Sequence, residues 1–409
     1  MTLSVIVCVY NTKIEYFENC LRSLRTESLG KEIEICVVDD GSSVDYSPII
    51  QKYGLKYKKT ENRGILAARL TGIEMASGDC IAFCDSDDTV SFDFHRPMLE
   101  CMKSENADIV TNDWAFHTDK SRYFCKRDVT ICTDIAVKGR EVIEKFFEPE
   151  GRQHSLFVLW NKVFRADVLR RAAEAVSKTE LCATRCNYAE DVALNFFAFL
   201  EAKSFFGVHT GYYFYRVHSE QTVGVISSER LRLQVAYMVK TLNIMERELS
   251  VRRLSALLPK LQSWREMMAR NHYSHAMAKG YTELYAFIKD SYGVGKLQRS
   301  RFSDSRVYAK NTLLADNFEE IDATLCGIYL KEDSIAVSCS PKNRYAMRTL
   351  KRLINEGKEI RLDNTSAIRI PNAEISLKNR VLHNFFIYFT GTLLFPKGSR
   401  LREFLKSKF

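Results

Sequence analysis

Four short segments hold the side chains that chemistry could use. Asp85-Ser86-Asp87 places two carboxylates two residues apart at the end of an apolar run, where a turn can aim one at a ribose hydroxyl and the other at a metal. Hard oxygen ligands of this kind suit Mg²⁺ or Mn²⁺, which bridge phosphate oxygens and keep several waters. Asp39-Asp40-Gly41-Ser42-Ser43 ends another apolar run. There Asp39 could accept from a nucleobase N–H and Gly41 lets the backbone approach closely, although Asp, Gly and Ser also simply build turns and caps. Glu190-Asp191 opens the apolar run Val192–Leu200. The pair suits a helix N-terminus, and its functional reading makes Asp191 a general base with Glu190 beside it. Tyr215-Arg216-Val217-His218-Ser219 presents a cation, an imidazole and a hydroxyl together. Arg216 suits paired hydrogen bonds to phosphate oxygens, and His218 either donates to them or completes a metal shell. A pocket for a nucleotide, a divalent cation and a base for a hydroxyl are the needs of sugar transfer from a nucleoside diphosphate.

The elements that must position these groups are legible over the first 110 residues. Leu3–Val9, Ile33–Val38, Cys80–Cys84 and the shorter Tyr57–Lys59 and Asp108–Thr111 read as strands, and Tyr16–Leu24 and Ile65–Met75 as helices. This alternation predicts a mainly parallel sheet covered by helices, whose ligands sit beyond the carboxyl ends of the strands. Both acidic turns follow such ends. From Trp114 to Gln221 the pattern is mixed, with helices near Arg140–Phe147 and Asp191–Ala202 and a strand at Gly211–Val217. After Ser227 long amphipathic helices follow, over Glu229–Leu249, Leu254–Ala278 and Thr282–Tyr292. Short strands at Ser334–Ser338 and Glu359–Leu362 flank a helix over Tyr345–Asn355.

Taken together, Ser4-Val5-Ile6-Val7-Cys8-Val9-Tyr10-Asn11, Val37-Val38-Asp39-Asp40-Gly41-Ser42, Asn62-Arg63-Gly64, Ala76-Ser77-Gly78-Asp79, Phe83-Cys84-Asp85-Ser86-Asp87-Asp88, Trp160-Asn161-Lys162-Val163-Phe164 and Glu190-Asp191 resemble the family 2 glycosyltransferases, in order and spacing, over about residues 3–225. The resemblance implies an α/β GT-A fold, Rossmann-like, with a mainly parallel central sheet and helices on both faces, followed by a mostly helical C-terminal domain. It also implies an inverting single displacement. By that analogy Val9, Tyr10 and Asp39 hold the base, Asp85 and Ser86 the ribose side, Asp87 the metal, Asp191 the acceptor proton, and Arg216, His218 and Ser219 the diphosphate. Asn62 and Arg69 look similar to positions lining the nucleotide cleft, with a purely structural role the alternative for Arg69; Trp160 and Lys162 could help shape the acceptor side, with the core the plainer place for Trp160. Cys8 stands where many members have proline, and Leu70 where many have asparagine. The expected organisation is a catalytic domain over residues 1–227, with nucleotide sugar and metal in 1–110 and acceptor side and base in 111–227. A helical domain over 228–378 and a basic, aromatic tail over 379–409 follow.

Composition narrows the partners. Hydrophobic residues make up 46% of the 409 and charged residues 27%, a globular balance. The net charge of +9 favours anionic partners, but no recognition motif points to nucleic acid. The twelve cysteines are scattered, and the C-x3-C pairs Cys80/Cys84 and Cys182/Cys186 lack a second pair, which argues against structural zinc. No run of about eighteen apolar residues is present and Met1 leads directly into a strand, so the catalytic part is expected to be cytoplasmic. Phe385-Phe386-Ile387-Tyr388-Phe389 and Leu393-Leu394-Phe395, followed by Lys397, Arg400, Arg402, Lys406 and Lys408, have the composition of an anchor on the inner face of an anionic membrane. A helix packed on the helical domain is the plainer reading of that tail. The expected partners are a UDP-sugar donor and a glycan or lipid-linked acceptor in capsule, O-antigen, teichoic-acid or related surface polysaccharide synthesis. The helical region leaves acceptor binding and homo-oligomer formation both open. A nucleotidylyltransferase would carry a Gly-rich phosphate loop, which Cys8-Val9-Tyr10-Asn11-Thr12 lacks. A degenerate scaffold or glycan-binding module is the nonenzymatic alternative.

Overall fold

The computed structural model describes residues 1–25, 29, 32–118, 121–123, 135–147, 156–216 and 227–297, with three short strands beyond them. The strands are β1 (Leu3–Val9), β2 (Ile33–Asp39), β3 (Lys56–Lys59), β4 (Cys80–Asp85), β5 (Thr89–Val90), β6 (Ile109–Thr118), β7 (Ser121–Tyr123), β8 (Ala136–Lys138), β9 (Lys162–Arg165) and β10 (Ser204–Arg216). The helices are α1 (Ile14–Arg25), α2 (Ser47–Tyr53), α3 (Ile65–Met75), α4 (Arg96–Ser104), α5 (Glu141–Phe146), α6 (Ala166–Ser177), α7 (Glu190–Glu201), α8 (Ser228–Val251), α9 (Leu258–Ala278) and α10 (Leu284–Tyr292).

One sheet runs in the order β3-β2-β1-β4-β9-β6-β10-β5, with β7 and β8 attached at the side. β3, β2, β1 and β4 form the expected parallel ladder, and β6 and β10 are also parallel. β9 lies antiparallel between β4 and β6, so the sheet is mixed. β9 does not stand out in the sequence, because an isolated four-residue run carries too short a period to register. β1 is apolar apart from Ser4, whose hydroxyl donates to Glu34 and accepts from the Gly78 N–H, because both faces are covered. Val5, Val7 and Val9 join the core under α1, α2 and α4, and Ile6 joins the core on the α3, α6 and α7 side.

The helical region starts at Ser227, whose hydroxyl caps α8 by accepting from the Arg230 N–H. Its apolar face does not close on itself. Leu231, Val235, Leu242 and Met245 of α8 and Trp264 and Met268 of α9 belong to the same core as α5, α6 and α7. Trp264 sits 5.2 Å from the Phe146 ring and 4.4 Å from that of Phe157. Beyond it, strands β11 (Ile328–Lys331), β12 (Ser334–Val337) and β13 (Glu359–Leu362) form a separate small sheet. The expected helix over Tyr345–Asn355 and the tail over 379–409 lie outside the described residues. No helix among the described residues is long and apolar enough to cross a membrane.

Candidate active site

The carboxyl ends of β1, β2 and β4 deliver their loops to one edge of the sheet. Asn11 at the end of β1 adopts φ +51°, and its backbone N–H donates to Ser42 Oγ at 3.0 Å while its side-chain oxygen accepts from the Ser43 N–H at 2.9 Å. The Asp40 N–H donates to the Val9 carbonyl. These bonds tie the first two loops together and leave Tyr10 half exposed at their rim while Val9 is buried. Asp39 is fully buried: its carboxylate accepts from the Ser42 N–H at 2.7 Å and from the Tyr57 hydroxyl at 2.9 Å. Gly41 takes φ +79°, and a Cβ there would stand 2.7 Å from the Asn62 backbone nitrogen. Only glycine gives both that angle and that approach.

Asp40, which the motif reading gave no role, accepts from the N–H groups of Arg63 and Gly64, both at 2.9 Å. It thereby fixes Asn62 and the start of α3. Arg69, one turn into α3, is buried and forms the centre of the site. Its guanidinium donates to Glu190 Oε1 at 2.5 Å and to Asp85 Oδ1 at 3.3 Å. Asp85 ends β4 and Glu190 begins α7, so this one side chain joins the two acidic segments.

Around Arg69 the carboxylates crowd one another. Burial lifts the Asp85 carboxyl above the ordinary aspartate range, with Asp87 and Asp191 adding like charge and Arg69 opposing. Burial likewise raises Asp191, again against Arg69, and takes Glu190 up to about 7. Glu190 is only 7% exposed, and with its carboxylate on Arg69 it is out of an acceptor's reach. This corrects the expectation that it shares the catalytic step, because a carboxylate spent on a buried guanidinium cannot also meet a hydroxyl. Asp191, partly exposed, is the member of the pair turned toward solvent.

The next acidic residue is as deeply placed. Asp88 is buried and accepts from the Tyr213 hydroxyl and the Arg216 N–H, each at 2.7 Å, and the Tyr213 hydroxyl accepts in turn from the Asp85 N–H at 2.9 Å. The acidic loop is thus stitched to β10. Arg216 is folded over that loop: its Nε donates to the Asp87 carbonyl at 2.7 Å and its guanidinium lies 4.3 Å from the centre of the Tyr16 ring. The buried Ser86 hydroxyl is 2.7 Å from that of Thr12. His218 and Ser219 lie outside the described residues.

Trp160 and Lys162 do not line an acceptor surface. Trp160 is buried and stacks on Tyr213 at 4.3 Å. Lys162 is fully buried, its ammonium donating to the Val158 carbonyl at 2.6 Å and to Asn161 Oδ1 at 2.8 Å. Their place on β9 and the loop before it turns both side chains into the core.

Among the described residues no three His, Cys, Asp or Glu side chains enclose a metal by themselves. Mg²⁺ and Mn²⁺ do not need such a cage, since one or two carboxylates with phosphate and water oxygens suffice. Asp85 and Asp87 fit that demand, and the mutual repulsion of Asp85, Asp87 and Asp88 is what a cation would relieve.

Residues 4–172 match the family model described as Glycosyl transferase family 2. The putative glycosyltransferase EpsH of Bacillus subtilis (strain 168) is 33% identical over 232 residues, which cover 54% of this chain and 62% of EpsH. Glycosyltransferase GlyA of Streptococcus pneumoniae serotype 4 is 27% identical over 222 residues, 53% of this chain and 30% of GlyA. The chain therefore spans less than two thirds of the length of either relative. Among solved structures, S. aureus TarS 1–349 in complex with UDP-GlcNAc is 17% identical, with a TM-score of 0.45, covering 78% of this chain and 97% of that one.

Proposed function

We propose, from the premise that residues 4–172 belong to glycosyl transferase family 2, that the chain moves a sugar from a nucleoside diphosphate carrier, UDP, to a hydroxyl of a glycan or lipid-linked acceptor in surface polysaccharide synthesis. The observation that carries this reading is Arg69, whose bonds to Asp85 and Glu190 bring the donor-side turn and the Asp191 carboxylate to one place.

The displacement is single and inverting. The acceptor oxygen attacks the anomeric carbon opposite the diphosphate, the bond from that carbon to the diphosphate oxygen breaks with its electron pair leaving on the diphosphate, and the hydroxyl proton passes to Asp191. A carboxyl lifted by burial is a better proton acceptor than an ordinary aspartate. Tyr10 and Asn62 take the nucleotide base on the loop that Asp39 fixes, Asp85 and Ser86 take the ribose, and Arg216 with His218 and Ser219 the diphosphate. Asp87 would hold Mn²⁺ or Mg²⁺, which would supply positive charge to offset that on the leaving diphosphate. The hydrophobic, basic tail holds the chain on the inner membrane surface beside a lipid-linked acceptor.

The test is a panel of UDP-sugars with GDP- and CDP-linked controls, scored for donor hydrolysis by release of the corresponding nucleotide and for thermal stabilisation, with and without Mn²⁺. A response to one UDP-sugar only with metal is the expected result. Equal silence across the panel would leave a scaffold in place of an enzyme.

A further inference from the structure

The strained point of the site lies between the acidic pair and the helical region. Ala189, the residue before Glu190, has φ +62° and ψ +11°, a left-handed conformation that a residue with a Cβ adopts only at a cost. Surrounding bonds must therefore hold it. On one side the Ile65 N–H donates to Asn187 Oδ1 at 3.1 Å and the Leu66 N–H to the Cys186 carbonyl at 3.4 Å, both from the first turn of α3, the helix that carries Arg69. On the other side the grip comes from the helical region. The Tyr237 hydroxyl donates to the Arg185 carbonyl at 2.7 Å, and Thr241 Oγ1 to that of Ala189 at 3.4 Å.

The deepest of these contacts is a relay of three side chains. Tyr188 Oη lies 3.2 Å from His272 Nε2 on α9, and His272 Nδ1 lies 2.7 Å from the Tyr292 hydroxyl at the end of α10. His272 and Tyr292 are both buried. A neutral imidazole has one donor and one acceptor nitrogen, so the two hydroxyls complete its hydrogen bonding and fix its ring. Burial holds His272 neutral, its pKa pushed down to about 3. The relay therefore keeps one pattern of donors and acceptors across the working pH range, which suits a support rather than a proton carrier.

We propose that Tyr188, held from the helical region by His272 and Tyr292, is a positioning residue for the Glu190–Asp191 pair, so that α9 and α10 set the aim of the Asp191 carboxylate. The inference rests on the proposed function, in which Asp191 takes the acceptor proton. Tyr188 touches no substrate in this scheme. It acts by fixing the turn from which α7 starts, and with it the distance from Asp191 to the Arg69–Asp85 pair.

Two variants of the full chain test it, each assayed by UDP release from the UDP-sugar that the wild type hydrolyses fastest. Tyr188→Phe keeps the ring and removes the hydroxyl. We expect kcat to fall about tenfold with the donor KM unchanged, since misplacement of a reacting group lowers rate rather than donor affinity. Ala189→Gly relieves the positive φ and should hold or raise the melting temperature while kcat still falls, a divergence that a merely structural role does not produce. Wild-type kcat in both variants overturns the proposal. Wild-type turnover in Asp191→Asn removes instead the base assignment on which it rests, and a chain that releases UDP from no nucleotide sugar overturns the proposed function itself.

Discussion

Replacing Arg69 with methionine keeps most of the volume of the side chain and removes its charge, leaving Glu190 and Asp85 without their shared partner. Both Arg69 and Glu190 are buried, so water cannot take over the lost bonds. Breaking a buried ion pair from one side costs about 3–5 kcal/mol. At the usual sensitivity of a domain of this size, about 2–4 °C per kcal/mol, the melting temperature should fall by roughly 6–20 °C at pH 8. The loss should depend on pH in a stated direction. The folded Glu190 carboxyl already titrates near 7, above its ordinary 4.5, and Arg69 is the group that holds it from rising further. For an acid with a raised folded pKa, the native state binds more protons than the unfolded chain between the two values, so stability is lost as pH rises through that window. Without Arg69 the folded pKa rises further, so the deficit against wild type should be small at pH 5 and 6, where Glu190 is protonated in both chains, and should grow as pH rises through 7 to 8. Melting curves of wild type and Arg69→Met at pH 5, 6, 7 and 8, with Arg69→Met/Glu190→Gln as the control that removes the stranded charge, measure this directly. A deficit that is the same at every pH, or that the double variant does not reduce, would refute the view that Arg69 compensates ionised carboxylates.

Asp87→Ala should abolish the gain in UDP affinity that Mn²⁺ confers, and isothermal titration with and without metal checks this; undiminished metal-dependent binding moves the cation elsewhere. Asp191→Asn should bind UDP as wild type does while sugar transfer drops by about two or more powers of ten, the usual contribution of a positioned base, and steady-state kinetics give the answer. Gly41→Ala should cost about 1–3 kcal/mol, since the new Cβ meets the Asn62 backbone at 2.7 Å at a positive φ, and should weaken UDP binding with it; an unshifted melting curve would show that this loop is not closely packed. Truncation after Leu382 should reduce co-flotation with anionic vesicles, and full retention would reject the tail as an anchor.

The strand and helix order of the first 110 residues was legible because buried strands and amphipathic helices repeat with their own periods, and a period survives in one dimension. The two acidic turns were legible for a related reason: Asp39-Asp40-Gly41 and Asp85-Ser86-Asp87 follow apolar runs directly, and a sheet of this class puts its ligands at such ends. What one dimension does not carry is direction. Acidic neighbours look alike in the sequence, yet Asp39 is bonded to its own loop and Tyr57, Asp40 holds the start of α3, and Asp88 holds β10. Glu190 and Asp191 are neighbours with the same charge, and only the approach of Arg69 commits the first to the interior. Trp160 read more readily as core than as acceptor side and is buried, whereas Lys162 was open between ligand and interior by type, and its place at the start of β9 buried it. The helical region read as a separate unit because its helices are amphipathic on their own. The tertiary structure decided that its apolar face closes against α7, because that face needed a partner and the acidic turn needed a support.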